Sequence, residues 1–341
     1  MLVDRFASAL SRVRMVAIVA AVLICAGTAT PLALRSCASE IARPHITRIG
    51  PTLSGVYIGA SDPSAVAAFA AWRGAPAKIA VDYLPYANWS DVAHPQWWLR
   101  SWEPFTSSGG QLILSVPLLT QEGGSFAAGA AGAYDSYFRS LARALVAADD
   151  GGAILRLGWE FNGNWFPWSL SSRGANRPAE FISYWRQVVG VMRSVRGASF
   201  KFVWNVSPAQ GSKAASAYPG NRYVDYIGVD QYDQGFAPGG GPIRSDSARW
   251  NQILHQPYGL DWWLSFALRH GKPIALPEWG LDTTDKNGGG DDPYFIKQMH
   301  SWIQQNHPAF ESYYDVGGQL TAGSTPKAAA EYRRLWHGSS L

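Results

Sequence analysis

Cysteine is nearly missing from this chain of 341 residues; Cys25 and Cys37 are the two it has. Cys25 lies inside an apolar run near the start and Cys37 just after it, so the rest of the chain has no disulfide and no thiolate metal site. Neither follows the small residue that a lipoprotein cleavage site wants: Ile24 precedes Cys25, and Arg35-Ser36 precedes Cys37. Charge is scarce too. Asp, Glu, Lys and Arg make up 16% of residues, with a formal net of +4, and the basic ones are scattered instead of clustering between aromatics. That excludes a nucleic-acid footprint. The seven histidines show no paired spacing on one helix face, and the Gly/Pro-rich stretch Gly235–Gly241 lacks the strand–helix setting of a phosphate cradle. No metal and no cofactor are therefore expected. No internal repeat is visible, and no linker is long enough to argue for a second folded domain.

Aromatic residues are what the chain has in quantity: 16 Trp, 15 Tyr and 14 Phe. Several tryptophans stand beside Asn, Gly or Pro at predicted strand ends, as Trp89, Trp165, Trp168, Trp204 and Trp279 do. Flat apolar rings next to hydrogen-bonding groups suit a ligand with apolar faces and a hydroxylated rim, such as a sugar.

The N-terminus reads as a targeting segment. Arg5, Arg12 and Arg14 precede an uncharged stretch from Met15 to Leu34, which predicts export of the chain beyond Leu34. Its length is close to the roughly 20 residues needed to span a bilayer. Gly27-Thr-Ala29 offers a small-residue cleavage site, so a cleaved signal and a retained membrane anchor both stay open. Residues 1–38 are assigned to this segment, 39–54 to a short linker and 55–341 to the folded domain. The expected location is outside the cell or in its envelope.

From Gly55 onward, strand-like runs alternate with amphipathic helical patterns. Candidate strands are Val56–Ala60, Lys78–Tyr83, Gln111–Val116, Ala153–Trp159, Lys201–Val206, Tyr226–Val229, Pro273–Leu276 and Glu311–Val316. Helical spacing is clearest in Tyr134–Ala148, Pro178–Val195, Asp261–His270 and Tyr294–Asn306. Eight strands with intervening helices predict a single-domain α/β fold, a parallel (β/α)8 TIM barrel. Such barrels carry their sites at the C-terminal ends of the strands. By this count Glu160 closes the fourth strand and Glu278 the seventh, on opposite sides of the mouth.

Both glutamates end apolar strands and are embedded in tryptophan, in Gly158-Trp-Glu160-Phe and Pro277-Glu278-Trp-Gly280. Burying a carboxylate there is costly unless it has a partner or a task. Two of them are what cleavage of a glycosidic bond by a carboxylate pair requires. The bland alternative is a structural carboxylate, with Glu160 paired to Arg156 inside the barrel.

Arg156-Leu-Gly-Trp-Glu160-Phe-Asn162-Gly163-Asn-Trp165-Phe-Pro-Trp168 resembles the strand-four motif of glycoside hydrolase family 26, the β-mannanases and related endo-glycanases. Lys272-Pro-Ile-Ala-Leu-Pro-Glu278-Trp-Gly280 is similar to that family's strand-seven motif, and Val224-Asp225-Tyr-Ile-Gly-Val-Asp230-Gln-Tyr232 to its strand-six segment. The resemblance runs from about Gly55 to the end, with order and spacing intact. It implies Glu160 as general acid/base, Glu278 as nucleophile and Tyr232 as the residue that holds it. There is one departure. Mannan-active members usually carry histidine just before the acid/base, where this chain has Trp159, which weakens the expectation of mannan more than that of hydrolysis. The aromatic platform expected at strand eight falls where Tyr313, Tyr314 and Asp315 stand.

The neighbours complete the expected substrate site. Trp159 and Phe161 should desolvate Glu160, raising its pKa and favouring a proton donor. Glu278 should stay ionised, held by Tyr232 and Arg156. Trp165 and Trp168 are read as sugar platforms, because the Asn and Pro around them indicate a loop. Asn162 and Trp279 are taken as substrate contacts. Asn205 could meet a sugar hydroxyl or act as a cap, and Asp230 could face the site or partner a basic group. Asp82 and Tyr83 are subsite candidates. Asp285-Lys-Asn287-Gly-Gly-Gly-Asp291-Asp292 only faintly resembles a calcium loop, and is expected to be a mobile loop near the mouth. The predicted activity is retaining, endo-acting hydrolysis of a polysaccharide, with oligosaccharide or polysaccharide as the expected partner. Two alternatives stay open: a non-catalytic glycan-binding protein, and a transglycosylase of the cell's own envelope.

Overall fold

A computed structural model describes residues 50–171, 177–208 and 213–338. The segment Met15–Leu34 and the cysteines lie outside the described residues. Eight strands close into a barrel in sequence order, every neighbouring pair parallel. They are β1 (Leu53–Tyr57), β2 (Ile79–Tyr83), β3 (Gln111–Val116), β4 (Ile154–Leu157), β5 (Lys201–Val206), β6 (Tyr226–Tyr232), β7 (Ile274–Gly280) and β8 (Phe310–Tyr314). Helices α1 (Pro63–Arg73), α2 (Trp89–Ala93), α3 (Gln96–Thr106), α4 (Phe126–Ala130) and α5 (Asp135–Ala147) serve the first half. The second half carries α6 (Pro178–Arg193), α7 (Asp246–His255), α8 (Leu260–Arg269), α9 (Pro293–Asn306) and α10 (Pro326–Trp336). This is the (β/α)8 architecture that the alternation predicts.

The differences from the sequence reading are physical ones. β1 starts three residues before the expected position, because Ser54-Gly55 is strand and not turn. A Cβ on Gly55 would stand 1.9 Å from the carbonyl oxygen of Ile79, so only glycine lets β1 approach β2. β4 stops at Leu157, where Gly158 (φ 53°) and then Glu160 (φ 50°) turn the chain out of the sheet. β7 runs past Pro277 because it contains a bulge. Gly228 pairs with Ala275 and Asp230 with Glu278, so β7 spends one more residue than β6 over the same rise. Proline sits comfortably there, where the hydrogen-bond ladder is already broken.

Residues two apart share a face of a strand. Ile79, Val81, Ile113, Ile154, Val203, Ala275 and Phe310 form one buried cluster inside the barrel, separate from the larger core between strands and helices. In the same phase, one step closer to the C-terminal ends, come Tyr83, Ser115, Arg156 and Asn205. The barrel interior therefore changes from apolar to polar along its axis.

Candidate active site

Arg156 is the centre of this polar layer. It is fully buried, and all five of its N–H donors have acceptors. Nε donates to Oδ1 of Asn205 on β5. Nη1 donates to the hydroxyls of Tyr83 on β2 (3.0 Å) and Ser115 on β3 (3.2 Å). Nη2 donates to Asp230 on β6 and to Oε2 of Glu278 on β7 (3.0 Å). One guanidinium thus ties five other strands to β4. Burial works against its charge, but the negative charges of Asp230 and Glu278 prevail and hold Arg156 protonated, above its ordinary range.

Glu278 projects inward from the β7 bulge and is nearly buried. Its Oε2 also accepts a bond from Tyr83 Oη at 2.5 Å, and its Oε1 accepts one from Tyr232 Oη at 2.5 Å. Burial, followed by the charge of Glu278, pushes both phenols well above their ordinary value, so both remain donors. Two further tyrosines complete the arc. Tyr57 on β1 meets Tyr83 edge-on at 4.7 Å and stacks on Tyr314 of β8 at 5.1 Å, and Tyr314 meets Tyr232 at 6.0 Å.

Glu160 sits in the turn three residues beyond β4. Its backbone N–H reaches Asn205 O (3.2 Å), its Oε2 accepts from Trp165 Nε1 (2.9 Å), and it keeps partial access to solvent. Burial in this crowded cleft, then the negative charge of Glu278, raises its pKa from 4.5 to about 7; Arg156 and the Trp165 indole oppose the rise. Asp230 is raised as well, chiefly by burial, with Arg156 opposing. Asp230 and Glu278 share the one guanidinium.

The expected site residues thus fall into two groups. Arg156, Glu160, Trp165, Asp230, Tyr232 and Glu278 come together at the mouth. Trp159 lines its β2 side, almost buried, with its ring edge-on to Tyr83 at 5.3 Å. The others are occupied elsewhere. Trp168 is fully buried, stacks on Phe166 (4.6 Å) and donates to Trp159 O (2.8 Å), so it is core and offers no platform. Trp279 faces outward because its neighbour Glu278 faces inward; it is fully buried and donates to Glu311 Oε2 at 2.6 Å. Asn162 is a backbone clamp, donating to Ser207 O (2.7 Å) and accepting from Ser207 N (3.0 Å). Asn205 neither caps nor faces a ligand; it orients Arg156. Asp82 is fully buried and holds Ser61 N, Tyr83 N and the Trp102 indole, well apart from any subsite role. Tyr314 is one of the strand-eight positions where an aromatic platform was expected, whereas Tyr57 was missed though within reach. Each is the last residue of its strand, and β1 and β8 pair there.

The loop expected to be mobile is tied down. Gln234 Nε2 donates to Asp282 Oδ2 (2.5 Å), Gly235 N to Asn287 O (3.0 Å) and Gly289 N to Asp233 O (3.0 Å). Asp291 accepts from Lys327 N and Ala328 N, and Asp292 from Tyr294 N and Phe295 N, at the starts of α10 and α9. Arg249 bridges Asp233 and Asp292 beneath it. The acidic residues of the loop serve as helix caps and ion-pair partners.

Comparison with known proteins adds a likeness over part of the chain. The sequence profile of glycosyl hydrolase family 26 matches residues 142–245, which take in Arg156, Glu160, Asp230 and Tyr232. Endoglucanase H of Acetivibrio thermocellus is 25% identical over 301 residues, covering 84% of this chain and 31% of its own length. Mannan endo-1,4-beta-mannosidase of Bacillus subtilis (strain 168) is 25% identical over 194 residues, or 53% of this chain and 46% of that protein. The chain spans less than half the length of these curated relatives. Among solved structures, a GH26 β-mannanase from Bacteroides ovatus matches with a TM-score of 0.61 at 16% identity, over 84% of this chain and 88% of that one. A Cellulomonas fimi endo-beta-1,4-mannanase gives 0.57 at 18% identity, over 77% and 65%. At these identities the structural likeness is one of fold.

Proposed function

We propose that this chain is a retaining, endo-acting glycoside hydrolase whose substrate is a β-linked polysaccharide of the mannan or glucan kind. The observation that carries the reading is the contrast between two carboxyls at one barrel mouth. Glu160, raised to about 7, holds a proton near neutral pH, whereas Glu278 is gripped by two phenols and a guanidinium. A carboxyl that keeps its proton beside one held by three donors separates an acid from a nucleophile. Glu278 attacks the anomeric carbon while Glu160 protonates the departing oxygen; Glu160 then takes a proton from water as the ester is hydrolysed. The curated relatives named mannan endo-1,4-beta-mannosidase and endoglucanase support the substrate class. Trp165, exposed and bonded to Glu160, offers an aromatic surface beside the pair, as a sugar site wants. We further propose that the protein works outside the cytoplasm, on the strength of the basic and apolar pattern up to Leu34.

The test is hydrolysis of soluble β-mannan, mixed-linkage β-glucan and xylan by the full chain, beside Glu160→Gln and Glu278→Gln. Cleavage to mid-sized products that is lost in both variants supports the reading, and proton NMR of the first product reports retention. Cleavage that survives either change removes that residue from its role. Binding without cleavage points instead to a glycan-binding protein, and products longer than the substrate to a transglycosylase. Location is read by cell fractionation with and without residues 1–38; recovery of both forms in the cytoplasm refutes export.

A further inference from the structure

Glu278 is gripped unevenly. Its Oε2 accepts two bonds, from Tyr83 Oη (2.5 Å) and Arg156 Nη2 (3.0 Å), while Oε1 accepts one, from Tyr232 Oη. Tyr83 is itself locked from three sides. Its ring is edge-on to Tyr57 (4.7 Å) and Trp159 (5.3 Å), and its hydroxyl accepts from Arg156 Nη1 (3.0 Å). A hydroxyl that accepts from a cation is a stronger donor onward, so Arg156 and Tyr83 reinforce one another on the same oxygen. For Oε2 to reach a sugar, a charge-assisted bond and a phenolic bond would both have to break; Oε1 has to shed a single phenol.

We propose that Tyr83 is a positioning residue that, with Arg156, pins Oε2 of Glu278, so that Oε1 is the atom that attacks and Oε2 becomes the carbonyl oxygen of the ester. This rests on the reading of Glu278 as nucleophile. In the first step a lone pair on Oε1 bonds the anomeric carbon, the bond from that carbon to the leaving oxygen breaks, and the Glu160 proton goes to that oxygen. In the second, water bonds the anomeric carbon and gives its proton to Glu160, and the electron pair of the carbon–Oε1 bond returns to the carboxylate. Negative charge redevelops on Glu278 in this second step, and the two donors already aimed at Oε2 stabilise it without rearrangement. Tyr83 therefore serves chiefly ester hydrolysis. Tyr232, which has to release Oε1, opposes attack.

The experiment compares wild type, Tyr83→Phe, Tyr232→Phe and Glu278→Gln in the full chain on 2,4-dinitrophenyl β-mannobioside and β-cellobioside, alongside the polysaccharide panel. Dinitrophenolate leaves readily, so ester hydrolysis governs turnover. Tyr83→Phe is expected to lower kcat and KM together, by about 10- to 100-fold, the range for losing one hydrogen bond to a charged group. Its kcat/KM should stay within about threefold, and its dinitrophenol burst should approach one per enzyme, because attack precedes the slowed step. Tyr232→Phe, freed of the bond that attack must break, should instead raise kcat/KM. An active wild type with Glu278→Gln inert and Tyr83→Phe unaltered overturns the assignment of Tyr83 alone, as does a Tyr83→Phe whose kcat/KM falls at constant KM. A wild type inert on every probe and polymer overturns the hydrolase reading, and this inference with it. Should Tyr83→Phe not fold, the wild type trapped with a 2-deoxy-2-fluoro glycosyl fluoride decides. A crystal structure with the ester formed through the oxygen facing Tyr232 supports the proposal; an ester through the oxygen facing Tyr83 refutes it.

Discussion

Replacing Glu160 with glutamine should change how stability depends on pH. The Glu160 carboxyl has an ordinary pKa of 4.5 and is raised to about 7 in the folded chain, mainly because the cleft desolvates its charge. A carboxyl that holds its proton more tightly when folded stabilises the fold fully below pH 4.5. That contribution drains as pH rises and is gone above about pH 7. At about 1.36 kcal/mol per unit the whole effect is about 3 kcal/mol at most, and partial exposure brings it into the range of about 1–3 kcal/mol. Glutamine has no proton to lose and can still accept the Trp165 indole bond through its carbonyl. Asp82 and Asp150, each raised to about 6 by burial, slope both proteins alike and cancel in the comparison. Urea unfolding from pH 4.5 to 8 measures the gap, with equal denaturant slopes required at each pH. Glu160→Gln should gain on wild type by about 1–3 kcal/mol across that range. A gap constant to within about 0.5 kcal/mol would sink the claim that burial governs Glu160, and the proton-donor assignment with it.

Arg156→Lys should abolish turnover and lower stability by about 3–5 kcal/mol, since an ammonium cannot serve five acceptors and leaves buried carboxylates short of partners; urea titration and polysaccharide hydrolysis together test it. Trp165→Phe removes a donor to the ionised form of Glu160, so the alkaline limb of the pH–rate profile should move to higher pH; an unmoved limb would show the indole bond to be idle. Trp168→Ala should lower stability by about 3–5 kcal/mol, as expected for a fully buried ring, with KM unchanged at temperatures where the variant is folded. A raised KM there would return Trp168 to the sugar site.

Periodicity made the barrel legible. Eight apolar runs alternated with helical spacing, and each of the eight expected strands overlaps an observed one. The pair Glu160 and Glu278 was legible for a related reason, because a carboxylate at the end of an apolar strand stands out against its surroundings. Roles that depend on which way a residue faces were harder to read. Trp279 and Trp168 looked like platforms beside their glutamates, yet one faces away from the barrel axis and the other is packed beneath Trp159. Composition near a motif says that rings are close by. It does not say which surface they cover.

Local sequence determined what the chain could decide within a strand or a turn: apolar periodicity, the alternation of strands and helices, and two glutamates too costly to bury without a task. Only the closed barrel decided how those pieces meet. Gly55 and Pro277 lay just outside the expected strands; they join them because β1 is pressed against β2 and β7 takes an extra residue, which are contacts between segments far apart in the chain. The grip on Glu278 likewise draws Tyr83, Arg156 and Tyr232 from three strands. No local pattern records that convergence, because strand order, register and inward phase are set by the packing of the whole sheet.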